Sequence, residues 1–486
     1  MKGKWIAGVL LLTLLLPYSA AAMNIRSTDI DYVWDHEGTR LYIPKTYQVE
    51  TVIDDVAGGF NNPQDIFIDA QGRIFVADTG NNRIVQMSPE HEVVAVFTGD
   101  GEKEFSEPAG VFVTEEGEIY VADTLNERVV ALTAEGEKLR EFVRPDSELL
   151  GEIHQFRPSK VCVADSGDLY VIMGKNFMII DQDNAFKGFV GASNVGFSFG
   201  DFLVRLFASE EQKQKMARAQ PPAYNNFTLG ENDRIYGVAQ SKSEQIRIIN
   251  SVGNNIYPTG VYGEQTVGAS GSWVIPAYLD PSFSDIAVDH NGVISVVDKN
   301  NGRIYQYNQN GDLLTVFGGN GTVKGKFSVP SSLAVDASGR LYVLDSSANN
   351  IQIFTPTAFI EKVHQASDFY DHGKYGKAKA LWEDIAAMDT GYILCEQSLG
   401  NIYYKEKDYA AAMEKYRSAG DQEGYIKAYG KYVHEALADH FVLVAIGVVA
   451  LVTLLFWGSA RLKRLSDRCC NDLFGIQEES GKKRRR

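Results

Sequence analysis

Cysteine is scarce: four in 486 residues, which excludes a disulfide-stapled secreted scaffold. Proline is sparse too, at 14, and that excludes collagen-like and proline-rich extended architectures. Positive charge is outnumbered in the body of the chain. The formal net charge is −16, but residues 461–486 carry a net +5 and residues 1–22 a net +2, leaving −23 on the stretch between. So acidic a surface repels phosphate backbones, which argues against nucleic acid as a partner. The eight histidines (His36, His91, His154, His290, His364, His372, His434 and His440) show no metal-ligand spacing, so no metal and no other cofactor is expected. Neither a Gly-x-Ser-x-Gly elbow nor a phosphate-binding loop motif occurs. What is abundant is glycine (45), tyrosine (24) and phenylalanine (25) in a chain that is 44% hydrophobic and 23% charged. Those are globular, strand-rich values, and the length suits two to four folded units.

Two apolar segments set the expected location. Lys2 and Lys4 precede a greasy run from Trp5 to Leu16 and a small-residue Ala20-x-Ala22 site, the order of a secretory signal peptide over residues 1–22. A retained anchor is the competing reading, and the shortness of the apolar core disfavours it. The second segment, within residues 439–460, has no charge from Phe441 to Ala460; as a helix it covers about 30 Å of hydrocarbon. Arg461, Lys463, Arg464 and Arg468 follow it, and the chain ends Lys482-Lys483-Arg484-Arg485-Arg486, so the positive-inside bias puts a basic tail, 461–486, in the cytoplasm. The expectation is a single-pass protein of the cell membrane with its N-terminal ectodomain outside.

Between these segments one phrase returns. It reads Gly72-Arg73-Ile74-Phe75-Val76-Ala77-Asp78, then Gly117 to Asp123, Gly167 to Met173, Asp233 to Ala239, Gly292 to Asp298 and Gly339 to Asp345. Pro63, Pro108, Pro158 and Pro330 precede their copies at one fixed spacing. Each copy has room for four short strands separated by Gly, Asn and Asp turns. A lone four-stranded sheet leaves two faces and its edges bare, whereas six sheets arranged radially bury the faces, giving an all-β six-bladed propeller over residues 23–356. The last copy turns helical at Pro356 before a fourth strand, so the orphan strand Tyr47–Ile53 is expected to fill that slot. A helical insertion is read at 192–222. The phrases Asp78-Thr79-Gly80-Asn81-Asn82-Arg83 and Asp123-Thr124-Leu125-Asn126-Glu127-Arg128, with Pro63 and Pro108 ahead of them, resemble NHL repeats; copies three and four lose the Asp to Met173 and Ala239.

From residue 357 to 438 the period is helical, and a 34-residue offset relates Ala366 to Gly400, Tyr370 to Tyr404, Tyr375 to Tyr409, Ala378 to Ala412 and Trp382 to Tyr416. Small residues opposite aromatic ones let paired helices approach closely, and the pattern resembles the tetratricopeptide repeat. The whole order is similar to that of membrane-tethered NHL-repeat proteins of Gram-positive bacteria. That resemblance implies a role beside membrane transporters, such as ABC-type carbohydrate transporters.

Candidate binding residues come from the openings of the innermost strands: Gln64-Asp65, Ala109-Gly110, Ser159-Lys160, Phe227-Thr228, Ser284-Asp285 and Ser331-Ser332. Asp65, Lys160 and Asp285 among these share one end of the propeller with Arg83, Arg128 and Arg303, a set able to bind a polar or sugar-like ligand through charge-assisted hydrogen bonds. The plainer reading has the recurring aspartates and arginines pinning the turns of each blade. No catalytic residues are assigned. The expected function is a non-catalytic binding scaffold whose propeller recognises a protein or glycan and whose helical stalk engages a membrane partner such as transporter subunits. A metal-dependent propeller hydrolase of the lactonase type is the alternative.

Overall fold

The computed structural model describes residues 30–35, 38–147, 150, 155–174, 176–190, 223–230, 233–251, 253–264, 279–388 and 391–474. The signal peptide read at 1–22, the insertion read at 192–222 and the end of the tail from 475 lie outside them. The chain divides into two compact units, Met1–Cys395 and Glu396–Arg486.

The first unit contains a six-bladed β-propeller. From the inside outward, the first blade has strands Asp65–Ile68, Ile74–Asp78, Arg83–Met87 and Val93–Phe97. The second has Pro108–Val113, Ile119–Asp123, Arg128–Leu132 and Lys138–Phe142. Lys160–Val163, Leu169–Met173, Asn176–Ile180 and Phe186–Phe189 form the third. The fourth is shorter than the repeat suggests, with Tyr224–Leu229, Ile235–Ala239 and Ile246–Ile249. Its open side is covered by irregular chain, Ile256 N–H bonding Ile248 O at 2.8 Å. The fifth runs Phe283–Val288, Ile294–Asp298, Arg303–Tyr307 and Leu313–Gly318. Pro330–Val335, Leu341–Asp345 and Asn350–Pro356 begin the sixth.

Tyr47–Ile53 completes the sixth blade. Ile351 lies opposite Ile53, Ile353 opposite Thr51 and Phe354 opposite Val49, so the start and end of the propeller share one sheet and the ring closes. The core sits between blades. Ile53, Ile353 and Leu344 of the last blade pack in one cluster with Ile66, Ile74 and Val76 of the first; Phe75 and Ile84 of the first pack with Val111 and Val121 of the second. This stacking explains why second strands such as Ile74–Asp78 are buried at every residue, where a half-exposed strand would alternate.

One element has no counterpart in the repeat pattern. Strands Tyr32–Trp34 and Arg40–Tyr42 form a hairpin that extends the fifth blade, Tyr32 lying opposite Val316. Glu264 fixes it. Its carboxylate accepts from Tyr32 OH at 2.7 Å, from Arg303 Nη1 at 2.7 Å and from Arg40 Nη2.

Helices follow the last strand: α1 (Ala358–Asp371), α2 (Tyr375–Ala386), α3 (Ile393–Lys405), α4 (Tyr409–Ala419), α5 (Gln422–Asp439) and α6 (Phe441–Phe474). In the first unit α1 meets the fifth blade through His364, whose Nε2 lies 3.0 Å from Gln306 Oε1. The Gln306 amide donates to Tyr47 OH and to Ser295 Oγ, each at 3.0 Å. Burial lowers the His364 pKa to about 3, so the ring is neutral there. The 34-residue offset has a structural counterpart. Tyr370 and Tyr375 pack with ring centroids 5.4 Å apart, and in the second unit Tyr404 and Tyr409 do so at the same distance. Ala366, Ala378, Ala412, Trp382 and Tyr416 are all buried. A Cβ on Gly400 would come within 2.8 Å of the Tyr416 ring, which is why the small residue is needed there. The run from Phe441 to Cys470 within α6 is long and apolar enough to cross a membrane.

Phe354 is buried where the closing strand meets the last blade. Phe354→Ala should cost about 3–5 kcal/mol, read as a lowered denaturation midpoint of the full chain in detergent with the slope unchanged.

Candidate functional site

The recurring aspartates end the second strands, next to the turn into the third. Asp78 accepts from Asn61 N at 2.7 Å, Asn81 Nδ2 at 2.9 Å and Arg83 Nε at 2.7 Å. Asp123 repeats this with Ser106 N, Asn126 Nδ2 and Arg128 Nε, each at 2.8 Å. The Asp-x-x-Asn-x-Arg spacing thus becomes a turn clamp: the carboxylate holds the turn after it and the segment entering the blade. Arg83 also donates to Ala57 O and Gly59 O at 2.9 and 2.8 Å. Arg128, fully buried, adds Asp100 Oδ2 at 2.6 Å. Asp298 accepts from Ser282 N and Asn301 Nδ2, while Arg303 reaches Glu264. Arg83 and Arg128 are therefore engaged with carboxylates at their own turns and Arg303 with Glu264, and the structure does not gather them around a common point.

The strand openings do converge. Register places Asp65 opposite Ala77, Gly110 opposite Ala122, Lys160 opposite Ile172, Asn226 opposite Val238, Asp285 opposite Val297 and Ser332 opposite Leu344. These are equivalent positions on the six inner strands, and they ring the central channel. In the fourth blade the equivalent residue is Asn226, one before the Phe227-Thr228 pair taken from sequence. The bulge just before it recurs before Gly110, Asp285 and Ser332, and Asn226 keeps the spacing to Ala239 that Asp65 keeps to Asp78.

Asp65, Lys160 and Asp285 belong to one buried network. Lys160 Nζ lies 2.7 Å from Asp65 Oδ1. Asp65 Oδ2 accepts Val111 N–H at 2.9 Å. Ser332 Oγ contacts Asp65 Oδ1 at 3.1 Å and also Asp285 Oδ2, which accepts Leu333 N–H at 2.9 Å. Ile66 N–H donates to Ser332 Oγ at 3.3 Å. Ser332 was named at sequence level only as a strand opening, yet it joins the two carboxyls.

Gly110 makes the Lys160–Asp65 contact across the second blade compatible with the fold, since a Cβ there would lie 2.8 Å from Ser159 O and 3.0 Å from Lys160 Cα. Burial opposes the Lys160 charge, but Asp65 and Asp285 outweigh it and hold the ammonium above its usual range. Burial raises Asp285 well above the ordinary carboxylate range, to about 6, with Asp65 adding to the shift and Lys160, Ser332 and Leu333 opposing it. One hydroxyl proton cannot serve two carboxylates at once, so Ser332 donates to Asp65 or to Asp285 but not to both.

Outside this ring, further side chains tie neighbouring blades. Thr79 Oγ1 donates to Pro108 O at 2.7 Å, Thr124 Oγ1 to Pro158 O at 2.8 Å, Ser284 Oγ to Pro330 O at 2.9 Å and Ser331 Oγ to Pro63 O at 3.1 Å. Asn225 Nδ2 does the same to Phe283 O at 2.6 Å. Among the described residues no group of three or more His, Cys, Asp or Glu side chains is placed to hold a metal ion. Cys162 and Cys395 are buried, and burial pushes the Cys162 thiol up to about 12.

Because folding favours protonated Asp285, that group's contribution to stability is complete below about pH 3.8 and falls as the pH rises towards about 6. Asp285→Asn should flatten the stability profile across that window, measured as the difference between variant and parent melting temperatures at each pH.

Residues 60–87 and 327–354 match the NHL repeat model. Over 143 residues the chain is 29% identical to NHL repeat-containing protein 3 of Mus musculus, covering 27% of this chain and 40% of that protein. Over 92 residues it is 33% identical to NHL repeat-containing protein 3 of Homo sapiens, covering 18% and 26%. The chain thus spans less than half the length of these curated relatives. Among solved structures, a streptogramin B lyase aligns at 13% identity and a TM-score of 0.40, covering 68% of this chain and 87% of that one. The WD40 β-propeller domain of Doa1 aligns at 10% and 0.38, covering 65% and 98%. The first and last blades therefore carry NHL repeats, and the chain is a six-bladed β-propeller followed by helices.

Proposed function

We propose that this chain is a non-catalytic scaffold of the cell membrane, with its propeller outside and its basic tail in the cytoplasm. The propeller recognises a protein or glycan ligand, and the helices after it, read as a short tetratricopeptide-like stalk, engage a membrane partner such as transporter subunits. One observation carries the binding reading. The outer strand of the first blade, Val93–Phe97, contains no charge and exposes Val93, Val94 and Val96. Other outer strands carry blunting charges, as Lys138, Arg140 and Glu141 do in the second blade, or are covered, as the fifth is by Tyr32–Trp34. An uncharged exposed edge is a surface suited to protein contact.

The channel supports the same reading from the other direction. Its polar side chains are used on one another and on neighbouring backbones, which leaves little for a substrate. The competing reading, a metal-dependent lactonase-type hydrolase, has Asp65 and Asp285 in its favour.

Val94→Lys should abolish capture of membrane partners by the full chain from detergent extracts while its melting temperature stays unchanged. Undiminished capture by that variant, or turnover of sugar lactones with a melting shift on adding Ca²⁺ or EDTA, would overturn the proposal.

A further inference from the structure

The channel network holds more chemistry than a buried ion pair needs. An amine nitrogen, Lys160 Nζ, lies 2.7 Å from one oxygen of the Asp65 carboxyl. The other oxygen of that carboxyl receives a backbone N–H from Val111 at 2.9 Å. The oxygen nearest the amine is also touched by Ser332 Oγ at 3.1 Å, and Ser332 in turn bonds Asp285. Asp65, Lys160, Asp285 and Ser332 are all buried. Nucleophile, electrophile, donor to a developing oxyanion and proton relay are the parts of an acyl-transfer site, here assembled within one chain.

We propose that Lys160 and Asp65 condense to an intramolecular amide that ties the first blade to the third. The reaction starts from the ion pair. One proton moves from Nζ to Oδ1 along their hydrogen bond, giving a neutral amine and a neutral acid, a minor state because the two carboxyls hold the ammonium charged. The Nζ lone pair attacks Asp65 Cγ; a C–N bond forms, and the π electrons of the C–Oδ2 bond move onto Oδ2, where Val111 N–H receives the charge. The C=Oδ2 bond then re-forms and the C–Oδ1 bond breaks. Oδ1 leaves as water, carrying its own hydrogen and a second proton that Asp285 delivers through Ser332. The hydrogen that Nζ still has to lose passes to the departing water and returns through Ser332 to Asp285, which is thereby reprotonated. The products are one amide and one water, with Asp285 and Ser332 unchanged. No oxidant, metal or cofactor enters the balance.

The bond would close a loop between positions 95 residues apart, restricting the unfolded chain as a long-range disulfide does. The inference goes beyond the scaffold reading and does not depend on any partner being bound.

Peptide mapping of the full-length protein by mass spectrometry tests it. The expected result is a branched peptide joining the Asp65 and Lys160 segments, with the summed mass less one water. It should be absent from Lys160→Arg, which keeps the positive charge. In Asp65→Asn the same attack should expel ammonia, giving the same branched product. Asp285→Asn and Ser332→Ala should slow formation at least tenfold after synthesis while circular dichroism shows the propeller folded. Recovery of Asp65 and Lys160 in separate, unmodified peptides from folded parent protein would overturn the proposal. Unchanged rates in both relay variants would overturn the mechanism.

Discussion

The structure depends on Tyr47–Ile53 pairing with Asn350–Pro356. A ring of sheets that stays open leaves two inner faces bare, at the first blade and the last, and exposes the clusters that hold Ile66, Ile74 and Ile353. Closing it with a strand from the opposite end of the propeller replaces a weak point with a long-range ladder. It also brings Tyr47 against Phe317 of the fifth blade, with ring centroids 4.8 Å apart. Tyr47 OH then becomes the acceptor that orients Gln306, and Gln306 meets His364 of α1. Ring closure and attachment of the first helix are one construction.

Once the ring is closed, position on a blade decides what each charge does. A carboxylate at the end of a second strand meets backbone N–H groups and an arginine, and so holds a turn. A carboxylate at the start of an inner strand has no arginine bonded to it and faces other blades across the channel. There two acids share one lysine and one hydroxyl, and burial, with Asp65 adding to it, raises the Asp285 carboxyl to about 6. The same residue type is a turn clamp in one place and a raised carboxyl in the other because of what surrounds it, an effect of geometry that composition alone does not contain.

Much of this was legible in the sequence. The recurring apolar runs ending in Asp78, Asp123, Met173, Ala239, Asp298 and Asp345 gave the blade count, and the missing last strand pointed to Tyr47–Ile53. The resemblance in spacing also marked the turn clamps of Arg83 and Arg128. Other features left no periodic trace. The Tyr32–Tyr42 hairpin is short and is held by Glu264, more than 200 positions away. Asn226, by contrast, stands as far before Ala239 as Asp65 does before Asp78, so its place in the ring was legible in the spacing. The three-stranded fourth blade and the bridging role of Ser332 arise from register, which only the assembled sheets define.

Amide hydrogen exchange over the closing ladder tests the account most directly. If Tyr47–Ile53 is the last strand of the ring, its bonded amides exchange as slowly as those of Asn350–Pro356 and lose protection together with them as denaturant is added. Rapid exchange at Tyr47–Ile53 beside slow exchange at Asn350–Pro356 would show that the ring is closed some other way.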